Sequence, residues 1–241
     1  MSDDFSHLLS EWPFERGPTM VRQIHADDGR HLLQIRVGLG ILQMEMTGRP
    51  DGTRPNGAES TLRWHLLRLS DGISCDDAPL SPQECRDLRE EAMLFHHRSV
   101  AAMSIGRFDV VLNDAAHMLK IINLCHDRGQ EEDDRSSLER LRPGLIASVA
   151  RAAAELALAD HDTATAMSAL DDGLRRLESL IGGEEMARSN EAALLQGMHD
   201  LLIRKLPSSQ RAELQHRLQE ALDQENYELA AILRDELRVM E

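Results

Sequence analysis

The chain has 241 residues, and its 42 acidic against 27 basic side chains leave a formal charge of −15 at pH 7. An acidic surface repels phosphates, so we expect no direct binding of nucleic acid. Aromatic residues make up only 3% of the sequence, whereas helix-forming alanine, leucine, arginine and glutamate are abundant. The composition therefore predicts a mainly α fold.

The N-terminus and the cysteines favour a protein of the reducing cytoplasm. Residues 1–17 open with acids, where a signal peptide needs a basic region. No segment approaches the roughly eighteen apolar residues of a membrane-spanning helix. The cysteines have no CxxC spacing and an odd count, which argues against a disulfide framework and a zinc–thiolate site. We therefore expect no membrane anchor, no metal and no other cofactor. The cysteines are Cys75, Cys85 and Cys125.

The first predicted elements are short strands between residues 19 and 47. Apolar and polar residues alternate over 33–37 and again over 42–46, and this period of two is typical of half-buried strands. Asp27-Asp28-Gly29 suits a hairpin turn, so the pattern favours a small antiparallel β unit. The alternative is one amphipathic helix over 32–46, in which each of two glycines would cost about 1 kcal/mol.

A segment rich in glycine, proline and arginine follows the strands. Residues 48–57 contain three glycines and two prolines, which indicates an ordered turn or a functional loop. Clustered arginines in an acidic protein could form a face for an anionic ligand or a docking partner. The same residue types also tie loops together through hydrogen bonds to the backbone. The candidate ligand-binding residues are Arg30, Arg36, Arg49, Asp51 and Arg54.

Helical patterns occupy the chain beyond these loops. Residues 59–69 predict one helix, and Ser81-Pro82-Gln83-Glu84 is typical of the start of another, which should run to about Ile105. The acidic run at 130–134 predicts a solvated loop. A final helix of the middle region is expected over residues 189–206.

Two helix pairs in the middle of the chain resemble tetratricopeptide-type repeats. In residues 90–125, Gly106 and Phe108 stand at the turn between two apolar helices, although the characteristic early Trp is absent and Val111 replaces Ala. Residues 146–181 predict a second, degenerate pair. We therefore predict a tetratricopeptide-like helical domain over residues 80–206. It follows an N-terminal β/loop unit with one helix over residues 1–72.

The last segment, residues 208–241, predicts a hairpin of two helices. Leucine and alanine side chains form one face of the first helix, and Asn226 can cap the second. Small alanines would let the two helices approach closely. Each helix is too short to be stable alone in water, so pairing or docking must stabilise it. The predicted stripe of the second helix contains Tyr227, Ala230, Ala231, Arg234 and Leu237.

This hairpin resembles the UVR motif of UvrB, UvrC, Clp-family unfoldases and the kinase activator McsA. The matching residues are Leu214, Leu218, Ala221, Glu225, Tyr227, Glu228, Ala230, Ala231, Arg234, Asp235 and Leu237. In that family the hairpin docks other proteins and often pairs with another copy of itself. The resemblance therefore implies partner-binding residues, namely Leu218, Ala221, Tyr227, Glu228, Ala230, Ala231, Arg234, Asp235 and Leu237. The alternative is a hairpin that packs only on its own chain.

No catalytic motif accompanies the hairpin. The sequence has no phosphate-binding GxxxxGK[ST], no GxGxxG and no HExxH metal motif. No serine or cysteine has the context of a catalytic nucleophile. Its eleven histidines are more readily explained as polar or core residues than as ligands. We therefore expect no catalytic residues and no enzyme activity.

These observations favour an adaptor that docks protein partners through the UVR hairpin. A second hypothesis, also non-catalytic, is an accessory of nucleotide excision repair that contacts UvrB or UvrC through this hairpin. One alternative is a McsA-like regulator of a Clp protease or a kinase, although McsA-type CxxC pairs are absent. Another is an enzyme or ligand-binding protein that uses the arginine-rich block. Self-pairing of the hairpin would give a homodimer.

Overall fold

The computed structural model describes residues 5–17, 19–70, 79–204, 208–223 and 226–239. Helices dominate, and a small antiparallel sheet lies near the N-terminus, so the predicted fold class is confirmed. The chain divides into two compact units, Met1–Ala152 and Ala153–Glu241. The three predicted domain boundaries and the tetratricopeptide-like character of the middle region stay predictions.

The N-terminal unit contains three antiparallel strands in the order β1-β2-β3. A short helix precedes them, and the elements are α1 (Ser6–Glu11), β1 (Met20–His25), β2 (His31–Val37) and β3 (Gly40–Glu45). Ile35 of the central strand pairs with Val21 on one side and Leu42 on the other. The predicted β unit is confirmed, and the alternative of one helix over this region is wrong.

The turn between β1 and β2 contains the predicted Asp27-Asp28-Gly29. The amide of Ala26 donates to the carbonyl of Arg30 at 2.9 Å, and Gly29 has a φ of +85°. Glycine adopts this left-handed conformation without the steric cost that a Cβ would impose. The result is a three-residue hairpin loop with glycine at its last position.

Three helices complete most of the N-terminal unit, α2 (Thr61–Ser70), α3 (Pro82–Ser104) and α4 (Phe108–Arg128). The start of α3 is a capping box, in which the Ser81 hydroxyl accepts from the Glu84 amide and the Glu84 carboxylate accepts from the Ser81 amide. Gly106, with a φ of +73°, lies in the turn to α4. The two long helices pack together around a core that includes Leu88, Ile121 and Cys125.

Both faces of β2 are buried. Leu33 and Ile35 pack against apolar residues of α3 and α4, while Gln34 and Arg36 on the other face are only 8% and 7% exposed. Arg36 Nε donates to the carbonyl of Trp12 at 2.7 Å. The prediction of half-buried strands is therefore wrong for β2, because the segment that precedes β1 contacts its polar face.

After α4 come α5 (Glu132–Ser136), a 3-10 turn (Glu139–Leu141) and α6 (Arg142–Ala159). The predicted solvated loop at 130–134 is confirmed in its exposure over residues 130–133, but α5 begins within it at Glu132 and Asp134 is only 5% exposed. Its Oδ1 lies 2.6 Å from Nη1 of Arg89 on α3. A buried carboxylate needs such a partner, and the ion pair draws part of the acidic run onto the core.

In the described part of the second unit, five further helices follow the C-terminal part of α6. These are α7 (Thr163–Ile181), α8 (Gly183–Met186), α9 (Asn190–Arg204), α10 (Ser208–Asp223) and α11 (Tyr227–Val239). Helix α7 packs against α9, α10 packs against α11, and α11 also contacts α9. Among the described residues, no helix combines the length and apolar composition needed to cross a lipid bilayer.

Candidate functional site

The two C-terminal helices pack through small side chains. Ala221 of α10 and Ala230 and Leu233 of α11 are buried in one apolar cluster. Leu214 and Leu218 of α10 are partly buried against it. Because alanine adds little bulk, the helix axes can approach closely, as the sequence predicts. Ala221 and Ala230 thus stabilise the hairpin itself.

A polar cap closes the connection between the helices. The Asn226 side chain accepts from the Leu229 amide at 3.2 Å, and the Asn226 amide donates to the carbonyl of Ala221 at 2.9 Å. These bonds satisfy backbone groups that the helix ends leave without partners. Glu225, one of the residues that match the UVR pattern, lies outside the described residues.

Residues 208–241 match the family model described as the UvrB/uvrC motif. The chain contains a UVR motif. Comparison of the chain with curated proteins and with solved structures found no match. The UVR motif coincides with the hairpin of α10 and α11 and therefore includes the residues of the apolar interior and the polar cap.

The UVR hairpin exposes a stripe formed by Tyr227, Ala231 and Arg234, here named the Tyr–Arg stripe. These residues stand four and three apart, so they share one side of α11. Tyr227 is 67% exposed, and the side chain of Arg234 is 68% exposed and pairs with the neighbouring Asp235 at 2.8 Å. The stripe flanks the hairpin interior without being buried in it.

The structure divides the residues of the predicted α11 stripe between the hairpin interior and the exposed surface. Of its members, Ala230 is buried and Leu237 partly buried, whereas Tyr227, Ala231 and Arg234 are exposed. Leu233 takes the interior position that the sequence analysis missed, although its spacing of three from Ala230 indicates it. The Glu228 side chain lies outside what the structure describes. The roles of these residues in partner binding stay predictions.

Another side of the UVR hairpin contacts α9. Glu236 of α11 interacts electrostatically with His199 of α9. His199 Nε2 is in turn 3.2 Å from Asp171 Oδ1 of α7. Asp171 raises the pKa of His199, with burial acting in the opposite direction. Burial raises the pKa of Glu236, and His199 partly offsets this. The sequence did not indicate this group of three charged residues, because its members are far apart in the chain.

The candidate ligand-binding residues of the N-terminal unit separate into two groups. Arg36 is buried, and its guanidinium donates to the carbonyls of Trp12, Val37 and Gly40, so it ties the sheet together. Asp51 accepts from the amide and hydroxyl of Thr53, at 3.0 and 2.9 Å. The remaining three line one cleft of about 620 Å³, and they are Arg30, Arg49 and Arg54.

A buried polar network lies behind this loop region. Glu91 accepts from the amides of Thr61 and Leu62 at 2.6 and 3.1 Å, and from His117 Nε2 at 2.8 Å. Burial alone would raise the pKa of Glu91, but these hydrogen bonds lower it below its usual value. Among the described residues, no group of three or more His, Cys, Asp or Glu side chains is arranged to hold a metal ion.

A second part of the network fixes the end of β3. Arg98 makes two hydrogen bonds to Asp114, at 3.0 and 2.6 Å. It also donates to the carbonyls of Glu45 and Gly48, at 2.9 and 2.8 Å. Both charged side chains are almost completely buried, so each compensates the charge of the other. The loop after β3 is thereby attached to α3 and α4.

Proposed function

We propose that this chain is a non-enzymatic adaptor that docks a protein partner through its UVR hairpin. The observation that carries the proposal is the Tyr–Arg stripe, in which Tyr227 and Arg234 are both about two-thirds exposed. The match to the UvrB/uvrC motif over residues 208–241 supports a role in protein interaction. The interior alanines and leucine hold the two helices together, so the stripe is presented on a preformed surface.

The residue types of the stripe suit a protein interface. Tyrosine and arginine are enriched among the residues that dominate binding energy, because each combines a large apolar contact area with directed hydrogen bonding. Ala231 between them leaves space for a partner side chain. The opposite flank of α11 contains Ile232, which is 54% exposed. Ile232 therefore serves as the control position, exposed on the same helix but outside the stripe.

The proposed partner is a UvrB or UvrC protein, engaged through its own hairpin in an accessory role in excision repair. The family match provides the basis for this choice. The formal charge of −15 favours recruitment through a protein rather than direct contact with DNA. A McsA-like regulator of a Clp protease or kinase is the second candidate, and self-pairing would produce a homodimer.

The direct test titrates the purified full-length chain with purified UvrB and, separately, with purified UvrC. We expect saturable binding that weakens by about tenfold or more in Tyr227→Ala and in Arg234→Ala, as is usual for central interface residues. Ile232→Ala is the control and should bind as the unchanged chain does. Size-exclusion chromatography over a range of concentrations measures self-association in the same variants.

The outcomes separate the candidates. Binding of neither protein would exclude the repair partners, and a concentration-dependent dimer lost in Tyr227→Ala would assign the stripe to self-pairing. If Ile232→Ala weakened binding as much as Tyr227→Ala, the stripe would not be the docking surface. A Clp-family component in the same titration tests the second candidate.

A further inference from the structure

The cleft of the N-terminal unit has the dimensions of a small-molecule site. Its volume is about 620 Å³, within the range of roughly 300–1,000 Å³ that ligand pockets occupy. The β1–β2 turn, the end of β3 and the loop that follows β3 form its walls. The lining side chains used below are Arg30, Glu45, Arg49, Arg54 and Glu59.

Arg49 is held in place by the protein. Its Nη1 donates to Thr61 Oγ1 at 3.3 Å and lies 3.8 Å from Glu91 Oε2, and its side chain is only 14% exposed. The buried Nε has no hydrogen-bond partner, although Asp51 Oδ1 is 3.2 Å away. Because its neighbours fix this guanidinium, a ligand would lose little of its binding energy in ordering it.

The other two arginines differ in their pairing. Arg30 pairs with Asp28 at 2.7 Å and with Glu45, so its charge is already balanced. Arg54 is exposed, and its side chain makes no hydrogen bond or ion pair with any residue that the structure describes. An arginine in a cleft wall without a carboxylate partner retains its full capacity to bind an anion.

The positive charge that a ligand could use in this cleft is that of Arg54, because carboxylates of the protein already pair with Arg30 and Arg49. A planar guanidinium matches the geometry of phosphate and carboxylate groups through two parallel hydrogen bonds. The cleft is much larger than a single oxyanion, so it has room for the rest of a small organic molecule.

We propose that this cleft binds a small molecule through an oxyanion group, with Arg54 as the principal ligand and Arg49, which its neighbours already hold in place, assisting. The group is a phosphate or a carboxylate, since both present the same pair of oxygens to a guanidinium. This site is independent of the UVR hairpin, and its test involves neither α10 nor α11.

Isothermal titration of the full-length chain with three probes tests the proposal. Inorganic phosphate and pyrophosphate represent the phosphate source, and succinate represents the carboxylate source, all at constant ionic strength. We expect saturable binding of one probe at one site per chain. In Arg54→Gln its Kd should rise by about tenfold, the usual effect of losing a hydrogen bond to a charged group.

Arg63→Gln is the matched control. Arg63 is an exposed arginine of α2 that does not line the cleft, and its replacement removes the same charge from the protein. Binding should be unchanged in this variant, and amide NMR shifts on titration should concentrate at Gly48 and Gly52. Absence of saturable binding by all three probes would overturn the proposal. Equal weakening in both variants would also overturn it, because that would indicate only the general charge of the protein.

Discussion

Glu91 of α3 and His117 of α4 are joined by a 2.8 Å hydrogen bond inside the N-terminal unit. The Glu91 side chain is completely buried, and its carboxylate also accepts hydrogen bonds from the first two backbone amides of α2. The His117 ring stacks on Phe95 with 3.8 Å between centroids. One carboxylate thus links the start of α2 to the two long helices of the unit.

Replacing Glu91 with Ala should destabilise the protein strongly. The change leaves the amides of Thr61 and Leu62 and the ring of His117 without their acceptor, and losing one member of such a buried network costs on the order of 3 kcal/mol. Glu90→Ala is the control, because Glu90 lies on the same helix and is exposed. Urea unfolding measures both free energies. Equal stability of the two variants would contradict the role of Glu91.

Replacing Leu233 should destabilise the hairpin much more than replacing its neighbour Ile232. Leu233 is 3% exposed and Ile232 is 54% exposed. Leu233→Ala should lower the free energy of hairpin opening by about 2–5 kcal/mol, since it leaves a cavity between α10 and α11. Ile232→Ala should change it little. Hydrogen exchange of the α10 and α11 amides measures the difference, and comparable exchange in both variants would disprove the interior assignment.

The second unit should lose stability as the pH rises. A raised pKa means that folding favours the protonated His199, so its contribution is complete below the ordinary value of 6.5 and is lost as the pH passes the raised pKa. The raised pKa of Glu236 acts in the same direction, starting from its ordinary value of 4.5. The charged groups around this pair are Asp171, Asp200 and Arg217.

Thermal unfolding between about pH 5 and 8 tests this prediction. His199→Gln should remove most of the change above pH 6.5, and Glu236→Gln should remove most of the change at lower pH. His216→Gln is the control, because the His216 side chain is 68% exposed. A stability that rises with pH in the unchanged chain, and does so equally in His199→Gln, would refute the assignment.

The buried thiols should be unreactive in the folded protein. Cys85 and Cys125 are both 0% exposed. Burial raises the pKa of Cys125 to about 12 and also raises that of Cys85. The reactive thiolate is therefore scarce at neutral pH. In a Cys75→Ser chain, a disulfide reagent should label these two positions only after unfolding in urea. Rapid labelling of the native chain would contradict their burial.

The local elements could be predicted from the sequence because their signals are local. Period-two alternation and Asp-Asp-Gly predicted the hairpin of β1 and β2, and Ser81 with Pro82 and Glu84 predicted the start of α3. The dense pattern of leucine, alanine, tyrosine and arginine at residues 208–241 identified the UVR motif, which the family match confirms. Each signal lies within one element or between adjacent elements.

Only the tertiary structure decided which side of each element is buried. Gln34 and Arg36 carry a polar pattern, yet they are buried because the chain around Trp12 supplies an acceptor for Arg36. Asp134 belongs to an acidic run, yet Arg89, 45 residues away, pairs with it in the interior. Such contacts depend on folding that brings distant charges together, so local spacing contains no signal for them.

The same distinction applies to the two candidate sites. The sequence determined the composition of the UVR hairpin, whereas its packing placed Ala230 and Leu233 inside and the Tyr–Arg stripe outside. It also indicated an arginine-rich block. The fold then used Arg36 to hold the sheet and gathered Arg30, Arg49 and Arg54 around one cleft. Composition determines which charges are present, and tertiary packing determines which of them are already neutralised by a partner.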